Sequence, residues 1–161
     1  MIKKWFKMCF VPLVALICVL IDQGSKSIAI NSLVEYKSVP VIDKFFYWTL
    51  CYNTGGAWSM LSDATWLLVL ISVIALVLIV ITVVKSKNKM YIAAASVFIG
   101  GLIGNLIDRV FNHKVTDFID FVIFGYDFPV FNIADIFICV SACFIVLAVL
   151  KEEKDDGKES D

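Results

Sequence analysis

The sequence predicts an integral membrane protein, mainly α-helical, with four transmembrane helices and, on the outer membrane face, a small β-sheet and a loop or short helix. Three observations lead to this prediction. First, 60% of the 161 residues are hydrophobic and only 18% are charged, with a mean hydropathy of +0.88, more apolar surface than a small soluble core can hide. Second, four apolar runs approach the roughly 20 residues that cross a hydrocarbon core about 30 Å thick. Third, lysines cluster on one side of these runs.

These runs predict a single membrane domain with spans at about residues 8–28, 64–84, 90–110 and 131–150. The first run begins like a secretory signal, but Asp22, Gln23 and Gly24 follow it instead of a small-residue cleavage site, so we expect a retained anchor. Lysines are retained on the cytoplasmic side of short loops, which predicts that both termini lie inside. The lysines concerned are Lys3, Lys4, Lys7, Lys85, Lys87, Lys89, Lys151, Lys154 and Lys158. The cytoplasmic tail, residues 151–161, is charged and is expected to be disordered.

The outward segment at about residues 34–60 is rich in β-branched and aromatic residues and is broken by Pro40 and Asp43, which predicts strands. Aromatic rings with a polar edge are favoured in the headgroup layer, so we expect this sheet to lie on the bilayer surface. The alternative is a soluble mini-sheet that stands clear of the lipid. The aromatic residues are Phe45, Phe46, Tyr47, Trp48 and Trp58.

Small residues predict that the third span packs closely against other helices. Gly100 and Gly104 lie four residues apart, a spacing that lets two helix backbones approach in lipid, either within one chain or between two. Asn105, Asp108 and Arg109 follow at offsets of three and four residues, which places them on one helical face. This polar face needs cover from the chain's own helices, so we expect a monomer.

One acidic residue lies inside a predicted span. A charge at the centre of a membrane helix costs about 2.5 to 3.5 kcal/mol, so such a residue is a functional candidate. Asp135 precedes Lys151 by sixteen residues, about 24 Å of helix, which places it just below the outer boundary, with Asn132 one turn earlier on the same face. Asp22 and Lys26 lie four apart at the outer end of the first span. They form either a functional pair or an ion pair that ends the helix.

Three further carboxylates, Asp117, Asp120 and Asp127, lie in the outer loop at about residues 111–130. Spacing alone does not choose among them. The loop is rich in Val, Phe and Ile, so we expect it to fold back onto the membrane and bring one of them against Asp135. Two carboxylates that share a site cannot both ionise cheaply, so one keeps a proton while the other activates a water. This is the chemistry of an aspartic protease, and it requires no metal or cofactor.

Other classes of function have less support. His113 is the only histidine and sits beside Lys114, the five cysteines have no metal-ligand spacing, and a net charge of −1 does not suggest nucleic acid. A small transporter in which Asp135 and Asp108 bind ions is the main rival. A structural or chaperone subunit, whose polar groups only hold the helices together, is the second.

The polar residues on the outer side also resemble, in order, five motifs of the lipoprotein signal peptidases, or signal peptidase II. The similarity covers nearly the whole chain. The motifs are DQxxK at Asp22, Gln23 and Lys26; NxGxAW at Asn53, Gly55, Ala57 and Trp58; GNxxDR at Gly104, Asn105, Asp108 and Arg109; the loop motif at Val115, Asp117 and Phe118; and FNxAD at Phe131, Asn132, Ala134 and Asp135.

This resemblance implies a multi-pass protein of the bacterial cytoplasmic membrane with Asp117 and Asp135 as its catalytic pair at the outer face. The implied substrate is a prolipoprotein, cut on the N-terminal side of a cysteine that bears diacylglyceryl. Membrane lipid and globomycin-type peptide inhibitors are implied as further partners. Supporting or substrate-binding roles are expected for eight residues. They are Asp22, Lys26, Asn53, Gly55, Asn105, Asp108, Arg109 and Asn132. We expect Asn105, Arg109 and Asn132 to orient the pair through hydrogen bonds, and Asp22 and Asn53 to brace the sheet or the substrate backbone.

Overall fold

The computed structural model describes residues 4–55 and 64–159, with side chains for residues 7–55 and 64–153. Four of its helices are long and apolar enough to cross a membrane, and four strands form one antiparallel sheet. The predicted fold class is therefore confirmed in its helices and its sheet. The elements are α1 Lys4–Ser32, β1 Ser38–Ile42, β2 Phe46–Asn53, α2 Thr65–Lys85, α3 Lys89–Asn112, β3 Val115–Ile123, β4 Tyr126–Asp127 and α4 Ile133–Glu159.

Because successive helices run in opposite directions, the bundle has two distinct ends. The sheet end carries all four strands, between α1 and α2 and between α3 and α4. The lysine end is defined by Lys7, Lys85, Lys87 and Lys151. It receives the start of α1 and the end of α4.

The third helix, α3, is the centre of the bundle. Eleven of its residues are buried, against two in α2. A Cβ atom on Gly100 would lie 2.5 Å from Cys18 Cβ of α1, and one on Gly101 would lie 2.7 Å from the Ala134 carbonyl oxygen of α4. The glycines thus let α3 approach two helices of the same chain, the first of the two packing modes that the sequence left open.

The sheet has the strand order β1-β2-β3-β4. Strands β2 and β3 pair along most of their length, with Cys51 opposite Asp117 and Asn53 opposite Val115. A bulge interrupts β2 between Trp48 and Cys51. The pairing holds the end of β2 directly beside the carboxylate that the loop motif carries.

The segment at residues 111–130 differs from the expected loop or short helix. It contributes β3, whose nine residues are mostly β-branched or aromatic and include no glycine or proline, a composition that favours a strand once a neighbouring strand offers an edge. Beyond β2, the strand also binds the chain that leads into α4. Phe118 and Ile119 donate backbone hydrogen bonds to the Phe131 carbonyl at 3.0 and 2.8 Å, and Phe131 donates one to the Ile119 carbonyl at 3.0 Å.

Two helix ends also differ from the prediction. Helix α1 continues to Ser32, so the pair Asp22–Lys26 does not end it. Helix α4 continues to Glu159 where a disordered tail was expected, because Lys and Glu are good helix formers and extending a formed helix needs no new nucleus. Ala57 and Trp58 of the NxGxAW motif lie outside the described residues.

Candidate active site

Asp135 is the third residue of α4, and Asn132 caps that helix. Asp135 Oδ2 accepts a hydrogen bond from the Asn132 backbone amide at 3.2 Å, while Asn132 Oδ1 accepts one from the Asp135 amide at 3.0 Å. The other carboxylate oxygen, Asp135 Oδ1, accepts a hydrogen bond from Asn105 Nδ2 at 2.7 Å. The carboxylate is therefore held at a helix N-terminus, where partial positive charge favours an anion.

Asp117 lies on β3 with only 2% of its surface exposed. Its Oδ1 accepts a hydrogen bond from Asn132 Nδ2 at 2.6 Å, and the side chain of Asn53 at the end of β2 supplies another. Asn132 thus contacts both aspartates, one through its side chain and the other through its backbone amide. Both acids are therefore bound to the same asparagine.

Backbone pairing explains why these distant residues meet. Ile119 and Phe131 form an isolated antiparallel bridge. Asp117 lies two residues before Ile119, on the same side of the strand, and Asn132 directly follows Phe131. The bridge therefore fixes the distance between the strand that carries Asp117 and the helix start that carries Asp135.

The other two loop carboxylates lie elsewhere. Asp120 points to the other side of β3, where its Oδ2 accepts a hydrogen bond from the Thr49 hydroxyl at 2.5 Å. Asp127 is exposed on β4. Among these three carboxylates, Asp117 is the one placed against the cap of α4.

Burial and charge change the acidity of Asp117. Desolvation, and next the nearby charge of Asp135, raise the pKa of Asp117 from its ordinary 3.8 to about 7. Hydrogen bonds from Asn132 and Asn53 and the charge of Lys26 oppose this shift. Near neutral pH the pair can therefore hold one proton between its two carboxyls.

A buried lysine lies behind Asn105. Lys26 is 2% exposed, and its Nζ lies 2.8 Å from Asp22 Oδ2, 3.0 Å from Asp108 Oδ2 and 3.1 Å from Asn105 Oδ1. These three contacts use all three ammonium donors. Because Lys26 and Asn132 both donate to Asn105 Oδ1, Asn105 must turn its Nδ2 toward Asp135.

The remaining contacts of this network join α1 to α4 and α3 to β3. Asp22 Oδ1 accepts a hydrogen bond from the Ala134 amide at 3.0 Å. Asp22 was expected to brace the sheet or the substrate backbone, but among the described residues its contacts are with helices and not with the sheet. Asp108 Oδ2 also accepts the Thr116 amide at 3.1 Å. With a lysine and an amide already on its carboxylate, Asp108 is poorly suited to the ion transport considered above.

Gln23 belongs to this network and was not among the predicted site residues. Its Nε2 lies 3.1 Å from Asp22 Oδ2, 3.1 Å from the Gly104 carbonyl and 3.2 Å from Asp108 Oδ1. Its place in the DQxxK motif was the signal that could have identified it.

Arg109 contacts the chain that follows β2. Its Nη2 donates to the Gly55 carbonyl at 3.2 Å, and the Gly55 amide donates to Asn53 Oδ1 at 2.8 Å. Its Nε is buried and has no hydrogen-bond partner within the part of the chain that is described. The expected hydrogen bond from Arg109 to the pair is not present among the described residues, because its Nη2 is bound to the Gly55 carbonyl. Arg109 interacts with Asp135 and Asp117 through its charge.

Cys51 lies opposite Asp117 in the sheet but does not supply a nucleophile. Burial, followed by the charges of Asp117, Asp120 and Glu35, raises the pKa of its thiol to about 12. The thiolate is the reactive form of cysteine, so the raised pKa favours a protonated, less nucleophilic thiol beside Asp117.

The chain is similar to known proteins along nearly its whole length. A family model described as signal peptidase (SPase) II matches residues 14–151. The lipoprotein signal peptidase of Halalkalibacterium halodurans is 34% identical over 149 residues, 91% of this chain and 96% of the relative. That of Anoxybacillus flavithermus is 33% identical over 159 residues, 98% of this chain and 95% of the relative.

Two solved bacterial membrane enzymes, both determined by the in meso method, have a similar structure. The one at 2.3 Å resolution superposes with a TM-score of 0.83 at 36% identity and covers 91% of this chain and 90% of its own. The one at 1.9 Å resolution has a TM-score of 0.79 at 38% identity and covers 88% of this chain and 93% of its own.

Proposed function

Because the chain belongs to the signal peptidase II family of aspartic peptidases, we propose that it removes the signal peptide of diacylglyceryl-modified prolipoproteins, cutting on the N-terminal side of the modified cysteine. Asp117 and Asp135 are the catalytic pair. One observation carries this assignment: Asn132 donates to Asp117 through its side chain and to Asp135 through its backbone, so two acids from separate elements share one site.

The pair activates a water. One carboxylate takes a proton from the water as it attacks the scissile carbonyl, while the protonated partner donates a hydrogen bond to the carbonyl oxygen. The proton taken from the water then passes to the leaving nitrogen as the scissile C–N bond breaks, and the pair returns to its singly protonated starting state. A pKa of about 7 for Asp117 supports a singly protonated pair near neutral pH, as this step requires.

The position of the site fits a lipid-anchored substrate. Asp135 begins a helix that crosses the membrane, and the sheet lies at the same end of the bundle. A cysteine that carries two acyl chains keeps its neighbouring peptide bond close to the bilayer boundary. The lysines at the opposite end support an orientation in which the site faces outward from the bacterial cytoplasmic membrane.

The surrounding residues take supporting roles. Asn105 and Asn132 orient the two carboxylates through hydrogen bonds, and Lys26, Asp22 and Asp108 hold Asn105 in place. Arg109, Gly55 and Asn53 position the chain after β2 beside the pair, where the backbone of an extended substrate can bind. The glycines of α3 pack against α1 and α4 of the same chain, which supports a monomer.

The test is cleavage by the purified full-length protein in detergent. We expect it to cut a diacylglyceryl-modified prolipoprotein immediately before the cysteine, to leave the unmodified precursor intact, and to be insensitive to metal chelators. A globomycin-type peptide is expected to inhibit the reaction. Failure to cut the modified precursor, or cleavage at a different bond identified by mass spectrometry, would overturn the proposal and favour a transport or structural role.

A further inference from the structure

A concave surface extends toward the lysine end of the bundle, and neither Asp117 nor Asp135 lines it. Helix α2 packs on α3 and has little contact with α1, which leaves a cavity of about 810 Å³ that we call the α1–α2 groove. Its walls are Val11, Leu16 and Val19 of α1 and Val80 of α2, with Ile99 of α3 among the residues at its floor.

Three lysines interrupt this apolar lining, and all lie at the lysine end. They are Lys7, Lys85 and Lys87. Lys7 Nζ donates to the carbonyls of Val83 at 3.3 Å and Val84 at 3.1 Å, and to that of Ser86. It thereby joins the start of α1 to the end of α2 and neutralises the carbonyl terminus of α2.

Lys85 and Lys87 remain available to a ligand. Both are exposed, and neither has a hydrogen bond or ion pair among the side chains that the structure describes. Of the acidic side chains that are described, those at this end are Glu152 and Glu153 of α4, a helix that contributes no residue to the groove lining. Glu152 already accepts a hydrogen bond from Asn88 at 3.2 Å. The mouth of the groove is therefore cationic.

The groove has the length of one leaflet. Its lining on α1 extends from Lys7 to Val19, about 18 Å of helix, whereas half of the hydrocarbon core is about 15 Å. A membrane-spanning peptide helix needs about 20 residues and about 30 Å. The positively charged start of a signal peptide would also be repelled by this rim. Length and charge both favour a lipid over a peptide.

We propose that the α1–α2 groove binds one anionic phospholipid from the leaflet at the lysine end. Its acyl chain lies along Val11, Leu16 and Val80, and its phosphate bonds to the ammonium groups of Lys85 and Lys87. Basic pockets between transmembrane helices are a recognised form of anionic lipid site. This site is separate from the catalytic pair.

Native mass spectrometry of the detergent-solubilised full chain tests the headgroup contact. We expect one phosphatidylglycerol to remain bound where phosphatidylcholine of equal chain length dissociates. The double variant Lys85→Gln/Lys87→Gln should bind phosphatidylglycerol about 25-fold more weakly, about fivefold for each lysine. The matched variant Lys89→Gln/Lys151→Gln changes two lysines that do not line the groove and should bind like wild type. Equal binding of both lipids, or an equal loss in both double variants, would overturn the proposal.

Filling the groove tests the acyl-chain contact separately. Val80→Trp should expel the lipid while the charges stay in place, whereas Val77→Trp, on the same helix but outside the lining, should not. A photo-reactive residue at position 16 should label the lipid. Labelling of a prolipoprotein substrate from that position, in place of the lipid, would overturn the assignment in favour of the signal peptide.

Discussion

Asn132 and Asp135 hold each other at the start of α4. Each accepts the backbone amide of the other, at 3.0 Å for Asn132 Oδ1 and 3.2 Å for Asp135 Oδ2, which is the reciprocal arrangement of a capping box. The carboxylate to which we assign a catalytic role is therefore also a structural part of the helix terminus. Its position is set by local hydrogen bonds before any substrate binds.

Replacing Asn132 with alanine is expected to lower kcat more than it raises KM. The variant loses the cap, worth about 1 kcal/mol, and the hydrogen bond that orients Asp117. A small displacement of reacting groups costs about 100-fold in rate, so we expect a fall of that order in steady-state cleavage assays.

Asn88→Ala is the matched control. Asn88 caps α3 at the lysine end by accepting the amides of Met90 and Tyr91. The Asn88→Ala variant should lose a similar free energy of unfolding, about 1 kcal/mol, while its kcat should equal that of the wild type. Wild-type kcat in Asn132→Ala would contradict the role assigned to Asn132.

The alkaline limb of the pH profile is expected to follow Asp117. Because its pKa is raised to about 7, the proton shared by the pair is present below this pH and is lost as the pH rises through it. We therefore expect kcat/KM to decline above about pH 7. A kcat/KM that keeps increasing toward pH 9 would contradict the shared proton.

Asp117→Asn is expected to be more stable than wild type in alkaline solution. The pKa of Asp117 is higher in the folded chain than its ordinary 3.8, so the wild-type residue loses stability as the pH rises from about 4 to about 7. The variant escapes this loss, which is on the order of a few kcal/mol. Thermal melts in detergent should therefore differ above pH 7 and converge below about pH 4; a constant difference would argue against the shift.

The two ion pairs of Lys26, with Asp22 and with Asp108, predict that a stability loss can be reversed by removing both acids. Lys26→Met leaves the carboxylates of Asp22 and Asp108 buried and unpaired, which should cost about 3 to 5 kcal/mol. Neutralising both acids in Asp22→Asn/Lys26→Met/Asp108→Asn should recover much of this stability, as measured by thermal unfolding. A single Lys26→Met variant as stable as wild type would show that the ion pairs contribute little.

Two glycines give opposite predictions. A Cβ atom on Gly104 would lie 2.5 Å from Asp22 Oδ2 and 3.3 Å from Ala134 Cβ, so Gly104→Ala should cost about 1 to 3 kcal/mol by overpacking. Gly24 of α1 has no such atom within 4 Å, so Gly24→Ala should gain up to about 1 kcal/mol from helix propensity. Thermal unfolding of the two variants should therefore shift in opposite directions, and equal shifts would contradict this packing.

The sequence predicted what depends on local chemistry. The four apolar runs identified the helices. Counting residues along the last run placed Asp135 inside the predicted span, just below the outer membrane boundary. Asp117 could not be separated from Asp120 and Asp127 without the family resemblance, because the bridge between Ile119 and Phe131 that brings it to Asn132 is non-local.

Other site features were missed for the same reason. Residues 115–123 carry strand-forming side chains, but their pairing depends on the edge that β2 provides. Gln23 contacts Asp108, and the Ala134 amide contacts Asp22. Both contacts depend on how closely α1, α3 and α4 pack. The spacing of residues within one segment does not predict distances between different segments.

The most direct test of the catalytic pair compares cleavage of modified prolipoprotein by Asp117→Asn, Asp120→Asn and Asp127→Asn at neutral pH. All three remove one carboxylate from the same short segment. The account predicts that Asp117→Asn loses at least about 1,000-fold in kcat while Asp120→Asn and Asp127→Asn stay active. Normal cleavage by Asp117→Asn, or a comparable loss in Asp127→Asn, would contradict it.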